Sequence, residues 1–346
     1  MKFILIILML SSIPVIPVQA SELTAPAVTG EAASRMPEET ENFGTALQEV
    51  ISNVLRTLRP DLKEAAAICL GLMATVVLVS IVQSFGEGTK KSVNLAGAAA
   101  ISASLLMSAN SMIRLGSDTV RELCDYGKLL LPVMTGALAA QGAGTASAAL
   151  YTGSALFIAL LSGLIAKVLI PMVYLFLGLI VANSATGEAM LKRMADLLKW
   201  ILNWCLKTIV AVFTGYLSIT GIVSGATDAT VLKAAKTAIS TAVPVVGGAL
   251  SNAAESVLAG AALMKNAAGI YGIVAVLAIF LEPFLRIGMH YLMLKLTAAV
   301  TAIFGCKEMT DLIGSFSEAM GFLLAMTGSV CILLLISTVC FLKGVG

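Results

Sequence analysis

The sequence predicts an all-α, polytopic membrane protein, and three observations carry that prediction. Of its 346 residues, 58% are hydrophobic and only 12% are charged, far from the composition of water-soluble domains. Asp, Glu, Lys and Arg are missing from the runs 65–86, 92–113, 129–166, 168–187, 208–227, 237–254, 266–281 and 319–342. Most of these reach the ~20 residues a helix needs to cross a hydrocarbon core about 30 Å thick. Backbone groups in lipid must be bonded within their own segment, which favours helices, and the alternating ten-residue strands of a membrane barrel do not occur. The third observation is an internal duplication: residues 132–171 align without a gap to 244–283, with eleven of forty positions identical.

The N-terminus reads as a signal peptide, residues 1–20. Lys2 supplies the charge, Phe3–Leu10 the short apolar core and Val18-Gln19-Ala20 the cleavage pattern. Residues 21–60 then form an extracytoplasmic segment with Pro26, Pro37 and the acidic stretch around Glu38, Glu39 and Glu41. Its early part reads as disordered. In Phe43–Leu58, the positions Leu47, Val50, Ile51, Val54 and Leu58 recur at helical spacing, an amphipathic helix for a membrane surface or a partner.

Two N-terminal spans occupy 61–118. Ala65–Phe85 runs inward, and Lys90-Lys91 then falls on the cytoplasmic side, as the positive-inside bias prefers. Val93–Ile113 is rich in Ala and Ser, which suits packing against protein. Arg114–Lys128 reads as a charged connector.

The two repeat units follow, at 119–228 and 229–346. Pro132-Val133-x-x-Gly136-Ala137-Leu138 returns as Pro244-Val245-x-x-Gly248-Ala249-Leu250, and an apolar helix ends each copy at Pro171 or Pro283. Pro132, Gly136, Pro171, Pro244, Gly248 and Pro283 are therefore candidate structural breaks, because proline removes a backbone donor and glycine favours breaks or close packing. Gly136–Gly153 holds four glycines and fits a broken span or a re-entrant hairpin. Amphipathic stretches at Glu188–Lys199 and Lys307–Glu318 precede the spans Ile201–Gly225 and Ala319–Leu342. The count is roughly seven to nine spans. An odd number per unit would invert the second copy; an even number would leave it parallel.

Little in the chain suggests catalysis. One histidine, His290, excludes a multi-histidine metal centre, and no nucleotide loop, nucleophile elbow or zinc-protease motif is present. No cofactor is expected. A net charge of +2 without a basic run gives no reason to expect nucleic acid. The six cysteines form no C-x-x-C pair and read as small apolar residues. Lys167 and Lys207 fit snorkelling side chains, and Trp200 with Trp204 an interfacial anchor.

The most suggestive polar set is Glu282, Arg286 and His290, which spacing of four places on one helical stripe at Pro283. Charges at membrane depth are costly, so Glu282 and Arg286 should pair with each other or face water. One reading makes the stripe the lining of a pathway. The other makes it an interfacial helix end reaching headgroups or bulk water.

The run Ala235-Lys236-Thr237-Ala238-Ile239-Ser240-Thr241-Ala242-Val243-Pro244-Val245-Val246-Gly247-Gly248-Ala249-Leu250-Ser251, with Lys265-Asn266-Ala267-Ala268-Gly269 beyond it, resembles the stage III sporulation protein AE family of endospore-forming bacteria. The likeness spans the mature chain. It implies a protein of the mother-cell membrane around the forespore, part of a channel-like or secretion-like apparatus joining the two cells. The implied partners are the other proteins of its operon, including a cytoplasmic ATPase and ring-forming subunits, a forespore membrane protein, and the lipid bilayer. The resemblance carries no catalytic motif. The competing reading is a stand-alone secondary transporter built from repeated units, favoured by the duplicated prolines and glycines. An intramembrane hydrolase would need a buried nucleophile and base, and the sequence offers none.

The signal pattern predicts a mature chain beginning at Ser21. N-terminal sequencing of the membrane-extracted protein checks it; a chain that still begins at Met1 would refute cleavage.

Overall fold

The computed structural model describes residues 25–37, 43–85, 90–140, 144–219 and 267–343. The signal peptide, Pro244 and Gly248 lie outside the described residues, as does most of the second repeat copy. What is described is all α apart from short 3₁₀ and π turns. The helices are α1 (Phe43–Gln83), α2 (Lys90–Ala140), α3 (Gly144–Leu164), α4 (Ile170–Thr186), α5 (Ala189–Ile219), α6 (Ala267–Thr301) and α7 (Lys307–Lys343). A π turn, Ile165–Leu169, joins α3 to α4 into one rod.

Cross-helix contacts fix the direction of each rod. Asp61 meets Arg286 at 3.0 Å, and the Ser80 hydroxyl donates to the Phe304 carbonyl at 3.2 Å, so α1 and α6 run parallel. Gln83 donates to Asn94 where α1 turns back into α2. Gly97, Gly116 and Gly127 of α2 face Met309, Leu323 and Leu334 in turn, so α2 and α7 run together. Ile158 sits at Gly127, while the Tyr174 hydroxyl donates to Asn110 at 2.8 Å, so the α3–α4 rod runs against α2. Lys192 reaches Asp311 and Lys199 reaches Glu318, which sets α5 alongside α7. The result is an alternating bundle. We take as upper the end holding residues 43, 140, 144, 219, 267 and 343; the turns near 83–90, 186–189 and 301–307 form the lower end. Two of those turns close on glycines in the left-handed region, Gly187 at φ 72° and Gly305 at φ 78°, a conformation costly for residues with a Cβ.

α6 and α7 form the centre. Nearly every residue from Ile273 to Phe284 is buried, as expected of a helix apolar on all sides. Among the described residues, five helical stretches are long and apolar enough to cross a membrane: Phe43–Gln83, Ser92–Ala137, Leu150–Thr186, Gly269–Phe304 and Lys307–Leu342. The charge-free runs are more numerous because 129–166 and 168–187 overlap one rod, 208–227 is described only to residue 219, and 237–254 lies outside the described residues.

Several sequence boundaries are corrected. The amphipathic Phe43–Leu58 and the first span are one helix, which continues through Pro60 with Leu58 and Ala65 buried on either side. Arg114–Lys128 is the middle of α2, since Val120, Leu123 and Cys124 bury one face while the charges point outward. Helix also continues through Pro132 and Pro283, and the apolar helices do not end at Pro171 or Pro283. Neighbouring helices hold a proline-containing helix together despite the lost hydrogen bond, and before Pro171 the wider π turn absorbs it. Gly136–Gly153 is helical on both sides of residues 141–143. Of the repeat, residues 155–171 and 267–283 are both described; both are helical and both descend. The two amphipathic stretches, first turns of α5 and α7, lie side by side at the lower end.

Close packing yields a contrast between glycines. A Cβ on Gly97 would stand 2.6 Å from both Met309 Cε and Val79 Cγ2, whereas one on Gly71 would meet nothing within 4 Å. We expect Gly97→Leu to destabilise the bundle by about 1–3 kcal/mol or more, and Gly71→Leu to leave it unchanged. Melting of the detergent-solubilised variants measures the difference; equal melts would refute the close approach.

Candidate functional site

Residues 25–37 form an arm that lies on the upper half of the bundle, where disorder was expected. A 3₁₀ turn, Gly30–Arg35, shapes it. The Ser34 hydroxyl donates to the Glu31 carbonyl at 2.7 Å, and Ala32 is wholly buried. This turn points Arg35 at Glu282 in the middle of α6, and the two form a salt bridge with both side chains almost fully buried. A second contact of Arg35, with Glu31, is longer at 3.4 Å and faces water. One turn below, Arg286 pairs with Asp61 of α1 at 3.0 Å. His290 is buried and its Nδ1 lies 3.1 Å from the Arg286 carbonyl.

Glu282, Arg286 and His290 all lie on α6, and the two charges do not pair with each other. Each is met by a residue from far earlier in the chain, Arg35 on the arm and Asp61 on α1, because desolvated charges need opposite charges at contact distance. α6 continues beyond the stripe to Thr301. Arg35 and Asp61 could not be singled out in the sequence, more than two hundred positions from their partners. The available signal was chemical: Glu282 directly follows an apolar run and has to find a cation.

Beside the Arg35–Glu282 pair lies a half-open cavity of about 580 Å³ between the arm, α2 and α6. Glu31, Asp118, Glu122 and Asp125 line it with Arg35 and Arg121. Pro283 and Ile279 border it as well; proline lacks an N–H, so the Ile279 carbonyl loses its helical donor there. The Tyr126 hydroxyl, on the same wall, is buried without a hydrogen-bond partner among the described residues. Of the described break positions, only Pro283 borders this cavity; Pro132, Gly136 and Pro171 lie elsewhere. Trp200 and Trp204 stack at 6.4 Å on the exposed side of α5. Among the described residues, no cluster of His, Cys, Asp and Glu has the makings of a metal site. The geometry is that of a charged joint.

Fold and site together define a multi-pass helical membrane protein whose N-terminal arm is locked onto its central helix. The chain matches the family model for stage III sporulation protein AE over residues 33–344 and belongs to that family. It is similar to the stage III sporulation protein AE of Bacillus subtilis (strain 168), 25% identical over 226 residues. That alignment covers 65% of this chain and 56% of the relative, so the chain matches little more than half the relative's length. No solved structure matches.

The joint makes a prediction. Arg35→Ala or Glu282→Ala strands the opposite charge in a buried place, at a cost of about 3–5 kcal/mol. Arg35→Met with Glu282→Leu removes both charges and should cost far less. Limited proteolysis of the arm and thermal melts in detergent report both. A double variant as weak as either single one would refute a buried pair.

Proposed function

We propose that this chain is a non-enzymatic membrane component of the channel-like or secretion-like apparatus that joins mother cell and forespore. In this reading it sits in the mother-cell membrane around the forespore with the arm outside the cytoplasm. Its partners are the other proteins of its operon, including a cytoplasmic ATPase and ring-forming subunits, and a forespore membrane protein. Family membership over 33–344 is the observation that carries the reading. The docked arm supports it, because a translocated segment fixed to the central helix offers a rigid surface to proteins in the space between the two membranes. We also propose that the repeat is tandem: 155–171 and 267–283 descend in the same direction, and the stretches after them lie at the same end.

The transporter reading retains one favourable observation, the charged cavity beside Pro283 in a membrane-length helix. Purification from sporulating cells separates the two. The assembly reading expects co-purification of operon products, loss of heat-resistant spores on deletion, and failure of Glu282→Ala in both assays. Recovery of the chain alone, with normal spores from the deletion strain, would sink it.

A further inference from the structure

The cavity beside the Arg35–Glu282 pair has a charge balance that its own residues leave unmet. Five carboxylates line it: Glu31, Asp118, Glu122, Asp125 and Glu282. Against them stand Arg35 and Arg121 on the walls, and Lys128, which holds Asp125 at 2.7 Å. Two negative charges are therefore in surplus. Asp118 and Glu122 form no salt bridge among the described residues, and Glu31 shares an arginine that Glu282 already neutralises. Asp118 and Glu122 stand one turn apart on α2, while Glu31 stands on the arm, so the surplus is spread over two walls.

A compact metal ion does not answer this surplus, because among the described residues no three of His, Cys, Asp and Glu form a group that could hold one. An elongated cation does. Between the charged positions the lining is apolar, with Val28, Leu115, Leu129 and Ile279 offering surface to methylene groups. The volume of about 580 Å³ falls within the ~300–1,000 Å³ of small-molecule sites. The walls also hold uncharged oxygens in need of donors. Tyr126 is only 5% exposed and its hydroxyl has no hydrogen-bond partner among the described residues. The Ile279 carbonyl has lost its helical donor to Pro283. The mouth is reached from water, since Asp118, Arg121 and Asp125 are exposed and the Glu31 side chain is 93% exposed; charges this dense are costly against hydrocarbon.

We propose that this cavity binds an aliphatic diamine or polyamine. One ammonium group donates to the Asp118 and Glu122 carboxylates of α2, another to Glu31 of the arm, and the methylene tether lies along Val28, Leu115 and Leu129. Hydrogen bonds of this kind, with donor and acceptor both ionised, are the strong ones. A dication cancels the surplus of two, whereas a single ammonium, such as a lysine of a partner protein, would leave one carboxylate over. Because the ligand spans α2 and the arm, its binding holds the arm more firmly to the bundle. The inference stands apart from the assembly reading, since it concerns what fills the cavity whichever proteins surround the chain.

Titration calorimetry of the full-length chain in an uncharged detergent, with 1,4-diaminobutane as the probe, tests this. Saturable binding of one diamine per chain is expected, together with slower proteolysis of the arm. Asp118→Asn with Glu122→Gln preserves side-chain size and should weaken binding about tenfold or more. Asp196→Asn with Glu308→Gln, two carboxylates of a separate recess at the lower end, should leave it unchanged. Butylamine, with one charge, and 1,4-butanediol, with none, should each bind about tenfold more weakly or worse. If the α2 variant fails to accumulate, Glu31→Gln on the exposed arm replaces it, with a severalfold loss expected. No saturable binding to the wild-type chain would overturn the proposal. So would undiminished binding to the Asp118/Glu122 or Glu31 variant, or binding of butylamine or magnesium as tight as that of the diamine.

Discussion

The upper half of this molecule depends on one constraint: charges placed on a buried helix must be neutralised where they stand. Glu282 and Arg286 lie on α6, which is packed on most sides by other helices. An unpaired charge in that position would cost several kcal/mol. Arg35 and Asp61 meet these two needs and in doing so tie the arm and α1 to α6. The two bridges have opposite polarity along α6, so a one-turn slip of α1 past α6 would set like charges together. The parallel register of α1 and α6 is thus specified electrostatically as well as by packing.

The described polar groups are spent on joining elements: Lys199 to Glu318 between α5 and α7, Tyr174 to Asn110 between α4 and α2, Ser317 to the Tyr291 carbonyl between α7 and α6. Such bonds cross between helices in surroundings where water does not compete strongly for them, and they favour one packing over its neighbours. The thiols behave as core atoms; burial pushes that of Cys306, at the lower turn, up from its ordinary value.

The helical class and its apolar stretches were legible in the sequence because hydropathy over about twenty residues is a strong local signal. Helical spacing alone is what set Glu282, Arg286 and His290 on one stripe; the partners of the two charges lie far away in the chain. What the sequence concealed was continuity. Pro132 and Pro283 each read as breaks, yet helix continues through both. The loss of one backbone hydrogen bond is local and visible; the tertiary packing that outweighs it comes from distant residues. Arg114–Lys128 misled in a similar way, its charge density hiding a buried face at Val120, Leu123 and Cys124. Arg35 was hidden because nothing local distinguishes an arginine that will be buried from one that stays in water.

The position of α6 in the chain has a consequence for biogenesis. The ribosome produces the arm, α1 and α2 long before the helix that neutralises Arg35 and Asp61. Until α6 and α7 arrive, the nascent chain offers quality-control proteases unpaired charges and an uncovered groove on α2. The late helices α6 and α7 therefore supply the packing and the counter-charges that the earlier ones require. A chain interrupted before them lacks the centre around which the earlier helices close, and its maturation is committed late and in one step.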